Sequence, residues 1–237
     1  MTSRRIFYHA KGCALSQAVQ IMLVEKRLDY ELHLVDVSAF EQLDPAFLAI
    51  NLSGQVPAIE FDGKVLTEAF FILCWLDERF PDPPLGGTDP AARYQVQAIG
   101  QLVERAMASN LALLEWAARG GATPAAEAYM RLPPERRALW ERAFTGFPPA
   151  ELSAAAAGLA RALAECELWL EHHPWLAGDD YTLADVLLFP LVHRLGEGMR
   201  GAALREWYAR IAARPAAALV LQEPPVVTMG PERGRWG

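Results

Sequence analysis

Asn51-Leu52-Ser53-Gly54-Gln55-Val56-Pro57-Ala58-Ile59-Glu60-Phe61-Asp62-Gly63-Lys64-Val65-Leu66-Thr67-Glu68 carries the tightest local pattern in this chain. Ala58 to Phe61 and Lys64 to Leu66 are short apolar runs on either side of Asp62-Gly63. An Asp-Gly loop between such runs predicts a β-hairpin, because both residues accept the positive φ of a type I′ turn. Val56-Pro57 stands at the entry to the first strand, a place where a residue without an N–H is tolerated. After the hairpin, helical spacing predicts a helix from Glu68 to Arg79 with Phe71, Leu73, Cys74 and Leu76 on the core.

Toward the N-terminus, Ile6-Phe7-Tyr8 reads as a strand and Lys11-Gly12 as a turn. Leu15, Ala18, Val19, Met22 and Leu23 then recur as one face of a helix. Tyr30 to Val37 alternates as a strand, with Tyr30, Leu32 and Leu34 on one side. Asp44-Pro45 opens a short helix, since Asp suits a cap and Pro suits the first helical position. The order is strand, helix, strand, helix, hairpin, helix. It predicts an α/β thioredoxin-like domain over residues 1–81.

Toward the C-terminus, Pro81, Pro83, Pro84, Gly86, Gly87 and Pro90 mark a linker over 82–90. Beyond it the pattern is helical, so 91–237 is predicted to be an all-α helical bundle with an extended tail. Val96, Ile99, Val103, Met107, Leu111 and Leu114 predict one long amphipathic helix, ended by Gly120-Gly121 and Thr123-Pro124. Glu127 to Phe147 reads as short helices and loop, and Leu152, Ala156, Leu159, Leu163, Cys166 and Leu170 as a second long helix. Thr182 and Asp185 have the spacing of a capping box, with Tyr181 and Val186 placed to staple across it. A last helix runs from Ala202 to Ala213, and the tail from Pro215 is expected to lie extended.

The bulk properties remove whole classes of function. A net charge of −7, with no Lys/Arg block, repels a phosphate backbone, so no nucleic-acid role is expected. No uncharged apolar run approaches the ~18 residues that a membrane span requires, and nothing resembles a signal peptide. Cys13, Cys74 and Cys166 lack metal-ligand spacing and suit free thiols in a reducing cytoplasm, with no metal expected.

The stretch from Asn51 to Glu68, its continuation Phe71 to Pro81, and the capped Tyr181-Thr182-Leu183-Ala184-Asp185 resemble the glutathione S-transferase superfamily, in order and in spacing. Within it, Val35 to Gln42 followed by Gly54-Gln55-Val56-Pro57 is most similar to bacterial lignin β-etherases, which use the glutathione thiol to displace an aryloxy group beside a carbonyl. The resemblance implies glutathione as co-substrate, a small hydrophobic and aromatic electrophile as partner, detoxification-type transferase chemistry, and a homodimer that pairs the N-terminal domain of one subunit with the C-terminal domain of the other.

It also implies a site. The bond before Pro57 is cis in the family, leaving the Val56 N–H and C=O free to pair with the cysteinyl part of glutathione as a strand edge would. Glu68 would take the γ-glutamyl ammonium, and Ala69 would offer a backbone N–H to its carboxylate at a helix N-terminus. The family usually carries a serine at the Ala69 position, and losing that hydroxyl removes about 1 kcal/mol. Gln55 is a further ligand to the tripeptide. Ser16 is the expected hydroxyl that favours the thiolate, although Leu15 before it departs from the polar residue many relatives carry. Cys13 competes with Ser16, since a thiol there could form a mixed disulfide with glutathione. Tyr8 and His9 are weaker candidates, with core packing as the alternative. The electrophile pocket is expected around Ala10, Met107 to Trp116 and Tyr129 to Phe147, with Trp116, Tyr129, Trp140, Phe144 and Phe147 as aromatic lining. Two other readings stay open: a binding scaffold without catalysis, for which Leu15 and Ala69 speak, and a thiol-disulfide enzyme using Cys13.

Overall fold

The structure is a computed structural model that describes residues 4–37, 39–119, 145–196 and 201–222, with 134, 137 and 141 besides. The expected roles of Tyr129, Trp140 and Phe144, the breaks at Gly120 to Pro124 and the tail beyond Gln222 lie outside the described residues. The start of that tail, expected to be extended from Pro215, is helical instead, a 3-10 turn over Pro215–Ala217 followed by a short helix over Ala218–Leu221.

The N-terminal part runs β1 (Arg5–His9), α1 (Ala14–Glu25), β2 (Glu31–Leu34), α2 (Pro45–Leu48), β3 (Ala58–Phe61), β4 (Lys64–Thr67) and α3 (Ala69–Arg79). The strands form a sheet in the order β2-β1-β3-β4, parallel between β1 and β2 and antiparallel elsewhere. Asp62 and Gly63 both have positive φ, 50° and 78°, as the type I′ reading requires. Phe7 and Ile59 point into the main core with α1 and α3, whereas Ile6, Tyr8 and Ala58 pack on Phe47 and Val35 across the other face.

The facing of β2 and α3 is settled by their neighbours. Leu32 and Leu34 are 44% and 46% exposed, because β2 pairs on one side only and forms the sheet edge. In α3 the buried residues are Phe70, Ile72, Leu73 and Leu76, whereas Phe71 is 60% exposed. The apolar run Ala69 to Leu73 is continuous, so periodicity could not say which side of it faces in.

The helices that follow are α4 (Pro90–Leu102), α5 (Ser109–Arg119), α6 (Pro149–Leu170), α7 (Leu183–Leu195), α8 (Ala202–Ala212) and the short α9 (Ala218–Leu221). Val96, Ile99, Val103, Met107, Leu111 and Leu114 are all buried, as their spacing predicts. They do not lie on one α-helix, however, since a π-helical turn, Val103–Ala108, joins α4 to α5. At 3.6 residues per turn a four-residue step overshoots by about 40°. Three such steps in a row, from Ile99 to Leu111, stay on one face only if the helix widens.

The two parts share a core. One apolar cluster runs from Phe7 through α1 and α3 into α4, α6 and α7, and α1 packs directly on α7. Polar contacts reinforce the junction. The buried Lys26 ammonium donates to Asp77 and to the Pro83 carbonyl, and Asp77 also accepts the Leu85 N–H at 2.8 Å, which pins the linker to α3. Arg214 holds both oxygens of Glu25 at 2.8 and 2.9 Å.

The capping box at α7 forms as its sequence predicts. Asp185 also does more than cap. Its buried carboxylate accepts the Thr182 N–H at 2.8 Å, the Leu176 N–H at 3.0 Å and the Trp207 indole N–H at 2.7 Å. Tyr181 lies edge-on to Trp175 and under the Arg214 guanidinium.

Candidate functional site

The loop before β3 is built around Asn51, a buried residue the sequence reading passed over. Its carboxamide oxygen accepts from the Ser53 N–H and hydroxyl, and its NH₂ donates to the Gln55 carbonyl at 2.9 Å. The signal was present as Asn-x-Ser-Gly, a sequence in which Asn replaces backbone partners in a turn. Asn51 therefore sets the path of the chain into Val56. The Val56-Pro57 bond is cis. The Val56 N–H has no partner among the described residues, and its carbonyl accepts only a long contact from the Cys13 thiol at 3.9 Å.

Cys13 is the N-cap of α1, in extended conformation, and is half-buried. Its sulfur thus lies between a helix N-terminus and the Val56 carbonyl. The other thiols are poor nucleophiles, since burial pushes Cys74 up to about 11 and Cys166 up to about 12.

Ser16 lies elsewhere. It is the third residue of α1, has no accessible surface, and its hydroxyl has no hydrogen-bond partner. A side chain that contacts a ligand must show surface when the ligand is absent, and Ser16 shows none. One helical turn separates it from Cys13, and that turn carries it into the interior. Tyr8 and His9 are also packed: Tyr8 sits edge-on to Phe47, and His9 lies 5.4 Å from Phe7 with burial lowering its pKa to about 4. Both are core aromatics.

The other end of the site is the N-terminus of α3. Glu68 is its N-cap, exposed, with φ 64° and ψ 113°, a conformation a non-glycine residue adopts only under constraint. Its side chain does not cap the helix. It is therefore left free to reach outward, while the first N–H groups of α3, beginning at Ala69, remain open to an anion. Ala69 itself is buried, so only its backbone can contribute. Pro57 is buried and Gln55 is exposed. Val56, Glu68 and the Ala69 N–H fall together because β3, β4 and α3 follow one another without a gap.

The expected electrophile lining is only partly present. Ala10, Met107, Leu111, Leu114 and Phe147 are buried in the core, whereas Trp116 is half-buried. A separate cavity of about 250 Å³ lies between the linker and Arg214, lined by Pro84, Leu85, Tyr181 and Thr182 among others. None of the candidate residues lines it, so it is not this site. Among the described residues no group of three or more His, Cys, Asp or Glu could hold a metal, and no helix is long and apolar enough to cross a membrane.

Residues 12–79 match the family described as glutathione S-transferase, N-terminal domain, and residues 133–215 the one described as glutathione S-transferase, C-terminal domain. Protein LigF of Sphingobium sp. is 31% identical over 215 residues, spanning 82% of this chain and 84% of its own. A probable maleylacetoacetate isomerase of Caenorhabditis elegans is 28% identical over 192 residues, 79% of this chain and 77% of that one. The crystal structure of beta-etherase LigF from Sphingobium sp. matches with a TM-score of 0.83 at 28% identity, across 92% of this chain and 98% of that one. A glutathione transferase homologue from Sulfitobacter, solved with bound glutathione, matches with a TM-score of 0.66 at 26% identity, across 92% and 97%.

Proposed function

This chain belongs to the glutathione S-transferase family, and from that premise we propose that it uses the glutathione thiolate to cleave a β-aryl ether or a related aromatic electrophile. The observation that supports the subtype most is the likeness to beta-etherase LigF, which extends over nearly the whole length of both proteins in fold as well as in sequence.

In this reading glutathione lies along the edge formed by Val56. The Val56 N–H and C=O pair with the cysteinyl residue, Gln55 contacts the tripeptide backbone, and Pro57 sets the direction of the chain. The γ-glutamyl end meets α3, its carboxylate on the Ala69 N–H and its ammonium on Glu68. The cysteinyl sulfur then falls beside Cys13 and the N-terminus of α1. The positive end of the helix dipole and the thiol donor both favour thiolate over thiol. Cys13, with accessible surface, takes the positioning role expected of Ser16. The thiolate attacks the carbon next to the carbonyl, a C–S bond forms, the C–O bond breaks, and the departing aryloxide takes up a proton as the phenol. In this reading residues 1–81 hold glutathione and residues 91–237 the electrophile, joined by 82–90. Exposed Phe71 and Tyr94, on neighbouring helices α3 and α4, support a homodimer contact there. Three free cysteines suit a reducing cytoplasm.

The placement of Cys13 favours one second reading. Its thiolate could attack the sulfur of a glutathione mixed disulfide, releasing the partner thiol, and a second glutathione would then restore Cys13 and leave as oxidised glutathione. Calorimetry with reduced glutathione, followed by phenol release from a β-aryl ether, tests the main reading. Saturable binding with glutathione-dependent phenol release supports it. Binding without turnover of ethers, halogenated aromatics or maleylacetoacetate would leave a scaffold, and no binding at millimolar glutathione would overturn the site.

A further inference from the structure

The end of α1, the last turn of α3 and the start of α7 meet where the proline-rich segment between α3 and α4 passes. Lys26, the C-cap of α1, is buried, and its ammonium donates to Asp77 of α3 and to the Pro83 carbonyl. Asp77 also accepts the Leu85 N–H at 2.8 Å, and the Leu85 carbonyl accepts the N–H of Leu183, the first residue of α7, at 2.8 Å. Leu85 is thus bonded to α3 through its N–H and to α7 through its C=O. The next position leaves no slack, since a Cβ on Gly86 would lie 2.5 Å from the other Asp77 oxygen. Across the same junction the Thr88 hydroxyl donates to Asp180 at 3.3 Å, and Arg214 holds Glu25, the last residue of α1.

These bonds tie the start of α7 to the end of α1, and the two helices pack directly on each other. Cys13 stands at the opposite end of α1. The 12 residues of α1 span about 18 Å. A tilt of about 3° at the junction therefore moves groups that face Cys13 by about 1 Å, the tilt acting over that length. A buried ion pair such as Lys26–Asp77 adds little net stability, because desolvating two charges costs about as much as their attraction returns. What it adds is a defined position, since the Asp77 carboxylate has to meet an ammonium and a backbone N–H at once.

Resting on the glutathione-transfer reading above, we propose that Lys26 and Asp77 are positioning residues for the reaction. Through Leu85 they set the angle at which α7, and the helices packed on it, meet α1. In that reading the sulfur lies at the start of α1 and the electrophile is held by the later helices. The angle therefore decides whether the electrophilic carbon stands in line with the sulfur. A misplacement of about 1 Å can cost about 10²-fold in rate even when its origin is far from the chemistry. Glutathione binding does not depend on the angle, because Val56, Glu68 and Ala69 lie on β3 and the start of α3 and share no partner with the junction.

The test disturbs the junction by two different means. Lys26→Met combined with Asp77→Asn removes both charges at nearly constant volume and keeps an oxygen for the Leu85 N–H. Gly86→Ala keeps both charges and presses a methyl group against the Asp77 carboxylate. Each is compared with wild type by scanning calorimetry, by titration with reduced glutathione, and by turnover of a β-aryl ether ketone and of a halogenated aromatic. In both variants kcat/KM for the electrophile should fall about tenfold, the loss that corresponds to about half an ångström. Glutathione affinity should stay within about twofold of wild type, as for independent sites. Undiminished turnover in a folded variant overturns the proposal, and so does a matching loss of glutathione affinity, the mark of general damage. If the double variant does not fold, Gly86→Ala decides by the same criteria. Wild type that fails to bind glutathione, or turns over neither electrophile, refutes the reaction proposed above and this proposal with it.

Discussion

Replacing Ser16 with alanine should make this protein more stable and leave its activity unchanged, the reverse of what a catalytic serine would show. The Ser16 hydroxyl has no accessible surface and no hydrogen-bond partner. A buried, unpaired hydroxyl costs about 1–3 kcal/mol of desolvation. Alanine is also the better helix former by about 0.5 kcal/mol, and Ser16 lies inside α1. Against these gains stands the small void left by one oxygen, which the close packing around α1 would fill only in part. The balance is a gain of about 1 kcal/mol, or a rise in Tm of about 2–4 °C for a chain of this length. Differential scanning calorimetry and glutathione-dependent turnover should be measured on the same preparation. A lower Tm, or a tenfold fall in kcat at unchanged stability, would mean that the hydroxyl meets the ligand after all, and the burial argument would fail.

Asp185→Ala should cost about 3 kcal/mol, since it leaves the Leu176, Thr182 and Trp207 N–H groups buried without an acceptor. Burial raises the Asp185 carboxyl to about 6, above its value of about 3.9 in the unfolded chain, so its protonation favours the folded state and that contribution is lost as pH rises through about 6. Urea titrations should therefore show a wider gap between wild type and variant at pH 5 than at pH 7.5, and a narrower one would contradict the assignment. Cys13→Ser should keep ether cleavage within about tenfold, because a hydroxyl can still donate to the thiolate, while abolishing exchange with glutathione mixed disulfides. Loss of both activities would mark the sulfur itself as essential to transfer. Phe71→Glu, at a residue 60% exposed, should shift a dimer toward monomer in light scattering without a large change in Tm; an undisturbed dimer would move the contact to another face.

Reading the chain without its fold went furthest where the information is local. The Asp62-Gly63 turn, the capping box at Thr182 and Asp185 and the buried stripe from Val96 to Leu114 are each set by neighbours within a few residues, and each is present as its sequence predicts. The candidate ligands Val56, Glu68 and Ala69 were legible for the same reason, since strand, hairpin and helix succeed one another directly.

What the sequence could not decide was facing, because a side chain's surroundings come from elements distant in the chain. Leu32 and Leu34 are as apolar as a core strand, yet β2 has a neighbour on one side only. Ser16 and Cys13 both stand near the start of α1, and only packing against the rest of the core buries one and leaves the other facing Val56. Turns, caps and helix periods follow from local dihedral and hydrogen-bond preferences that the sequence carries by itself. Burial depends on how those elements stack, and here the stacking covers Ser16 and leaves Cys13 against the Val56 carbonyl.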